Sequence, residues 1–469
     1  GACGRHEIRR YSRAMTSWAE GRLSRFLPVL LVAVALGAVV ALSRPLLALL
    51  APSILAVLVL MALVRRLSRN LDDPGAARRL MTWTIVAFVS HLVFGLVVTN
   101  ANGGALEYLR APDSYAYHNL AEQIVRHWTI GTPLPNLPAG KEGFYYVLAG
   151  LYWLFGAHTA SGLVLNAGLS AALVPLVSEA THRLFGRGAA MRVPPLVALL
   201  PGIFIWTSQL LKEAPILFLI ALAAACAVRL LERVSVGSLL GLAVAMALLF
   251  TFRAWVALVL AAGFVAALLV GRRELTVAVT SGASVLAVLT LVVGLGLGYS
   301  GFRAAVDTDL AEANSVRRDL ATTAGSGYDP DVDVSTGQAA LSYLPRGLLN
   351  FFLGPFPWHI CSARQLAVAP DMVVWWLLLP SLWRGQREAR RLIGRGVLVL
   401  VLPALTTLTL LALAVGNFGT VVRERGQVTI LLVPLIALGL AQRAAARSAR
   451  SSGTGEILPA PATAGVATV

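Results

Sequence analysis

Glu107-Tyr108-Leu109-Arg110-Ala111-Pro112-Asp113-Ser114-Tyr115-Ala116-Tyr117-His118-Asn119 is a polar, aromatic-rich insert that follows closely on an apolar run, residues 81–99. Pro112 suits the first position of a helix, and an acid beside it is favoured by the positive end of the helix dipole. The pattern predicts a helix from Pro112 to about Trp128, ended by the Pro-rich stretch Gly131–Gly140. Tyr117 then stands one turn after Asp113 on the same face, with only the small Ala116 beside it. A carboxylate so placed is suited to take a proton from a hydroxyl as a general base. It is equally the ordinary acid of a first helical turn.

The chain around this insert is mostly hydrocarbon. Of its 469 residues, 57% are hydrophobic and 13% charged, which excludes an ordinary soluble domain and calls for a bundle of membrane-spanning helices. The formal charge of +16 does not point to nucleic acid, because the arginines fall in short clusters between apolar runs. About twelve spans are read: residues 27–43, 45–64, 81–99, 160–183, 193–209, 213–231, 236–251, 254–270, 275–298, 370–384, 395–415 and 426–443. The expected fold class is therefore an all-α polytopic membrane protein, with two large extracytoplasmic loops carrying interfacial helices.

Orientation follows from Lys and Arg, which resist translocation. Clusters at Arg65, Arg66, Arg69, Arg78 and Arg79, at Arg183, Arg187 and Arg192, at Arg272 and Arg273, and from Arg384 to Arg395 assign those segments and both termini to the cytoplasm. The orientation requires Gly143–Phe155 to lie along the outer surface, since crossing there would move the Arg183 cluster outside. That segment is too short to span and is rich in Tyr and Trp, which prefer the interface. The organisation expected is a basic cytoplasmic N-terminus (1–26), an added helix pair (27–80) and a transmembrane core (81–298) with the first outer loop at 100–159. A second outer loop (299–369), C-terminal helices (370–446) and a disordered cytoplasmic tail (447–469) complete it. Within the second loop, Leu341–Phe356 reads as another interfacial segment.

Charges at the outer ends of spans are the informative ones, because ionisable groups near hydrocarbon are costly and tend to be paired or functional. The topology brings Asp113 with Glu107, Lys212 with Glu213, Arg253, Arg346, and Arg423 with Arg425 to one side. Lys212 and Glu213 follow Ile205-Trp206-Thr207-Ser208-Gln209, where the chain turns back into the membrane. A mutually paired surface couple is the plain alternative there. Arg253 interrupts two apolar runs at a very short turn, placed either to reach lipid headgroups or to bind a phosphate. In Gly416-Asn417-Phe418-Gly419-Thr420-Val421-Val422-Arg423-Glu424-Arg425 two arginines are spaced to lie near each other in a tight turn, a fork suited to phosphate, with Asn417 placed to orient a hydroxyl. Neutralisation of those arginines by Glu424 is the alternative. Asp329-Pro330-Asp331-Val332-Asp333 superficially matches a calcium loop, but Val334 and Ala340 stand where Gly and Glu are needed, so no metal site is expected. Cys3, Cys226 and Cys361 lie too far apart in sequence for a zinc or disulfide framework.

The acid before an aromatic helix (Pro112-Asp113-Ser114-Tyr115-Ala116-Tyr117), the segment Tyr152-Trp153-Leu154-Phe155-Gly156, the span closed by Arg183-Leu184-Phe185-Gly186-Arg187 and the acid Glu213 opening a later span resemble the membrane glycosyltransferases of the GT-C class. The likeness is to the protein-mannosyltransferase-like and lipid A aminoarabinose transferase branches, and it covers roughly residues 80–270. It implies an inverting transfer of a sugar from a polyprenyl-phosphate donor to a glycan, lipid or protein acceptor at the outer face of a bacterial inner membrane. Asp113 matches the catalytic acid of the first outer loop and Glu213 a second acid. Substrate contacts are expected from Glu107, Tyr117, His118, Lys212, Arg253, Arg346, Asn417, Arg423 and Arg425, with no cofactor beyond the lipid-linked donor. Two alternatives stay open: a polymerase of lipid pyrophosphate-linked repeat units, and a lipid-linked sugar flippase or other transporter. The latter calls for charges midway through spans and for related halves.

Overall fold

A computed structural model describes residues 44–69, 73–101, 106–138, 140–271, 309–360 and 363–451, with isolated positions between 272 and 308. Among the described residues every regular element is helical. The helices are α1 (Arg44–Ser68), α2 (Pro74–Thr99), α3 (Asp113–Ile130), α4 (Glu142–Phe155), α5 (Thr159–Ala190), α6 (Val193–Leu199), α7 (Pro201–Thr207) and α8 (Glu213–Glu232). They continue with α9 (Val236–Phe252), α10 (Ala254–Gly271), α11 (Leu310–Thr323), α12 (Gly337–Leu353), α13 (Ala363–Ile393), α14 (Leu398–Ala414) and α15 (Phe418–Ser451).

Among the described residues seven helical stretches are long and apolar enough to cross a membrane, counting the run Ala369–Ala414 once. Gly394, at φ 51°, breaks that run into α13 and α14. The burial of the spans ranks them: 83% of the apolar window of α5 and 78% of that of α8 are buried, against 22% for α1. The bundle is thus centred on α5 and α8. α1 and α2 pack on α5 from outside, α15 packs on α5, α8, α13 and α14, and α14 closes on α10. Small residues permit the tightest crossing. A Cβ on Gly385 would lie 1.8 Å from the Leu435 carbonyl, and one on Gly439 would lie 1.9 Å from that of Ser381, so α13 and α15 meet backbone to backbone.

Several expected boundaries shift. The run 193–209 is not one span, because Pro201 forces an extended backbone at Leu200 (ψ 120°) and divides it into two seven-residue helices, α6 and α7. The last span begins at Phe418 rather than 426, and helix continues to Ser451, past the expected start of the tail at 447. Residues 27–43 and nearly all of 275–298 lie outside the described residues. The helix expected from Pro112 is present as α3, and 143–155 is helical within α4.

The two polar loops meet at one end of the bundle. In the second, buried Arg317 donates to the Asp329 carbonyl at 3.0 Å and to the Tyr343 hydroxyl at 2.9 Å, tying α11 to α12. Gly327 forms an isolated bridge with Asn417, and its hydrogen faces the Ala321 carbonyl so closely that a Cβ would stand 1.7 Å away. The Tyr328 hydroxyl donates to the Val415 carbonyl at 2.6 Å. The second loop is thereby latched onto the α14–α15 turn.

Candidate functional site

Four chain segments converge where α3, α8, the α9–α10 turn and the start of α15 meet. Arg423 Nη1 donates to Asp113 Oδ2 at 2.7 Å, and its Nε lies 3.2 Å from Glu213 Oε1. Arg253 Nη2 lies 3.8 Å from the same Glu213 oxygen, while its Nη1 is 2.7 Å from Glu424 Oε1. Acids and arginines therefore alternate along one line: Asp113, Arg423, Glu213, Arg253, Glu424. The line is wettest at Asp113, whose side chain is 49% exposed, and driest at its middle, where that of Glu213 is only 2% exposed. Both Glu213 carboxylate oxygens lack a hydrogen bond among the described residues, so this acid is held by charge alone.

Local structure explains the convergence. A carboxylate at the first position of α8 and another at that of α3 sit at the positive ends of their helices. Arg253 is the single residue between α9 and α10, with φ −163° and ψ 82°. Gly143 has no room for a side chain, because a Cβ would meet the Thr251 hydroxyl at 2.2 Å, and this brings the start of α4 onto that turn. Tyr117 is buried, edge-on to Phe144 with ring centres 5.0 Å apart. Burial, and then the negative charge of Glu213, push its phenol well above the ordinary range. The Lys212 side chain is buried beside the line. Burial, reinforced by the like charges of Arg253 and Lys141, holds its ammonium well below the usual 10.5.

Asp113 and Arg423 open onto a cleft of about 600 Å³ whose walls also carry Arg110, Trp206, Gln365 and Asn417. Ala324, Gly325 and Ser326 bring the second loop to its rim. The cleft can admit a small polar group, with one carboxylate and two guanidiniums at its wall.

The expected residues divide into those the fold gathers and those it disperses. Asp113, Tyr117, Lys212, Glu213, Arg253 and Arg423 come together. Arg425 does not join Arg423. Two positions apart on α15, they point about 160° from each other around the helix, not side by side as a tight turn would have them. Arg425 is buried against Asp371 (3.6 Å) and donates to the carbonyls of Phe351 (3.1 Å) and Gly354. Arg346 pairs with Asp329, whose carboxylate also accepts from Tyr343 (3.2 Å) and Asn350 (3.1 Å), away from Asp113. Glu107 stays at the surface, 3.8 Å from Arg110. His118, five positions after Asp113, is turned about 140° around α3 and bonds the Tyr152 hydroxyl at 2.8 Å. Asn417 lines the cleft, but its Oδ1 accepts from Gly419 N at 2.7 Å and Ser326 Oγ at 2.7 Å, which makes it the cap of α15.

Glu424, which ends the line, was seen in the sequence only as a neutraliser of its neighbours. Its separation from Arg423 by one position turns it toward Arg253, a geometry visible only once α15 is known to be helical there. Lys141 beside Lys212 carried no sequence signal at all. No family model matches the chain, and no curated protein matches it at a significant level.

Proposed function

We propose that this chain is a membrane glycosyltransferase that moves a sugar from a polyprenyl-phosphate donor to a hydroxyl acceptor in the cleft between its two polar loops, on the extracytoplasmic side. The observation that carries this reading is the exposed Asp113 paired to Arg423 at 2.7 Å on the wall of that cleft, backed by the buried Glu213, Arg253 and Glu424. A base must reach a hydroxyl, and a departing phosphate needs fixed positive charge, and here both stand side by side.

Asp113 and Glu213 neutralise Arg423. A donor phosphate competes for that guanidinium, with Arg110 on the cleft wall as a second donor of hydrogen bonds. Asp113 is then released toward the acceptor. The acceptor oxygen attacks the anomeric carbon from the face opposite the phosphate, the carbon–oxygen bond to phosphate breaks with its electron pair on the phosphate, and the hydroxyl proton passes to Asp113. The sugar arrives inverted. Glu213 remains too deeply buried to touch the sugar and instead fixes both arginines.

Purified protein in lipid nanodiscs is expected to turn over a polyprenyl-phosphate sugar. Asp113→Asn is expected to lower the rate at least about 100-fold, the usual scale for loss of a general base, with melting temperature maintained. Full turnover by that variant overturns the assignment of the base. Arg423→Gln is expected to weaken donor binding about ten-fold or more, as loss of a charge-assisted phosphate contact does.

A further inference from the structure

Directly beside the site, a polar clamp joins the two stretches of chain that carry Asp113 and Glu213. Gln209 is 1% exposed and Asn166 is fully buried. Gln209 Oε1 accepts from Ala111 N at 2.8 Å, while its Nε2 donates to the Leu109 carbonyl at 3.0 Å and the Ile205 carbonyl at 3.1 Å. One side-chain amide thus holds both backbone groups flanking Arg110, three residues before Asp113. Asn166, on α5, donates its Nδ2 to the carbonyls of Gln209 and, at 2.8 Å, of Leu211, fixing the short non-helical link between α7 and α8. That link ends in Lys212 and Glu213.

We propose that Gln209, held by Asn166, is a positioning residue that sets where Asp113 stands relative to Glu213 and Arg423, and so the reach of the base into the cleft. The proposal rests on the glycosyltransferase reading for its effect on rate, though not for its effect on geometry. Only an amide fits the role. It supplies one acceptor and one two-proton donor on an unbranched stem, whereas Glu keeps the acceptor and loses the donor, and Met of similar size loses both. The chain at 109–111 leaves its single 3-10 turn before α3 begins, and there the Leu109 carbonyl and the Ala111 amide are bonded by this side chain. Gln209 itself meets no substrate, so a change there acts on Asp113, and on Arg110 between the two bonded groups, only through the backbone.

The test uses the full chain in nanodiscs, with Cys3 and Cys361 replaced by Ser and spin labels at Tyr115→Cys, on the exposed first turn of α3, and Leu349→Cys on α12. The parent is expected to give one narrow distance distribution. Gln209→Met is expected to broaden it and to lower kcat for polyprenyl-phosphate sugar at least ten-fold, a larger effect than on KM, which the displacement of Arg110 also moves. Combining it with Asp113→Asn is expected to cost nothing further. Gln209→Glu, which keeps the Ala111 bond, is expected to fall between the two and carries the same test should Gln209→Met not fold. An unchanged distribution, or a broadened one with unchanged kcat in an active parent, overturns the proposal. If the parent turns over no donor, the glycosyltransferase reading fails, and the distance measurement alone still decides whether Gln209 sets the Asp113 position.

Discussion

At the scale of single residues, the alternating line from Asp113 to Glu424 is stable only as a set. Removing one partner of a buried ion pair leaves an uncompensated charge and costs about 3–5 kcal/mol, more than the pair contributed. Arg253→Leu leaves both Glu213 and Glu424 short of a partner and is expected to destabilise by about that amount, read as a lower unfolding temperature in detergent. Adding Glu424→Gln to it should recover part of the loss, and a double variant that melts lower still would contradict the linkage. His118 provides a separate readout. Burial holds its imidazole below 6.5 despite the opposing charge of Glu122, so the unfolded chain binds the proton more readily. Its contribution to stability is complete above 6.5 and is lost as pH falls below that value toward the folded pKa. The drop in melting temperature between about pH 7.5 and 5.5 is therefore expected to be smaller in His118→Gln than in the parent. The charged members of the site were legible because Lys212, Glu213, Arg253 and Arg423 each interrupt hydrocarbon, where an ionised group demands a reason. Gln209 and Asn166 were not. An uncharged amide at the edge of an apolar run disturbs no pattern, and its partners lie 98 and 43 positions away.

At the scale of elements, hydrophobic length found most of the bundle but proline and glycine set its joints. Pro201 turned an expected span into α6 and α7, and that break is what lets Trp206 reach the cleft and Gln209 reach Leu109. Periodicity alone cannot register this, since both halves remain apolar. The mistaken pairing of Arg423 with Arg425 has a similar origin. Gly416 and Gly419 read as a turn, yet Asn417 caps a helix that starts at Phe418, and the two arginines diverge. The crossing of α13 with α15 is the element whose sequence requirement is sharpest. Gly439→Val is expected to force the helices apart and destabilise by about 3 kcal/mol, on the scale of an overpacked core. A melting temperature equal to that of the parent would show that the helices do not meet there. Gly237, where a Cβ meets nothing within 4 Å, is the matched control.

At the scale of the whole molecule, seven stretches among the described residues are long and apolar enough to cross a membrane, and the two polar loops meet at one end of the bundle. Labelling of Tyr115→Cys and Trp358→Cys by a membrane-impermeant maleimide in intact cells, with Cys3 and Cys361 replaced, is expected to modify both from the extracytoplasmic side. Protection of either until the cells are broken would reverse the orientation. The latch between Gly327, Tyr328 and the α14–α15 turn ties residues some 90 positions apart in sequence: the Phe418 amide donates to the Ser326 carbonyl at 3.0 Å, and Tyr328 N to the Gly416 carbonyl at 2.9 Å. Until the last helix has formed, the second loop therefore lacks these bonds. The wall that carries Arg423 closes after every other part of the cleft is in place, so a nascent or truncated chain lacking α15 holds its first loop and Asp113 without the arginine that neutralises them.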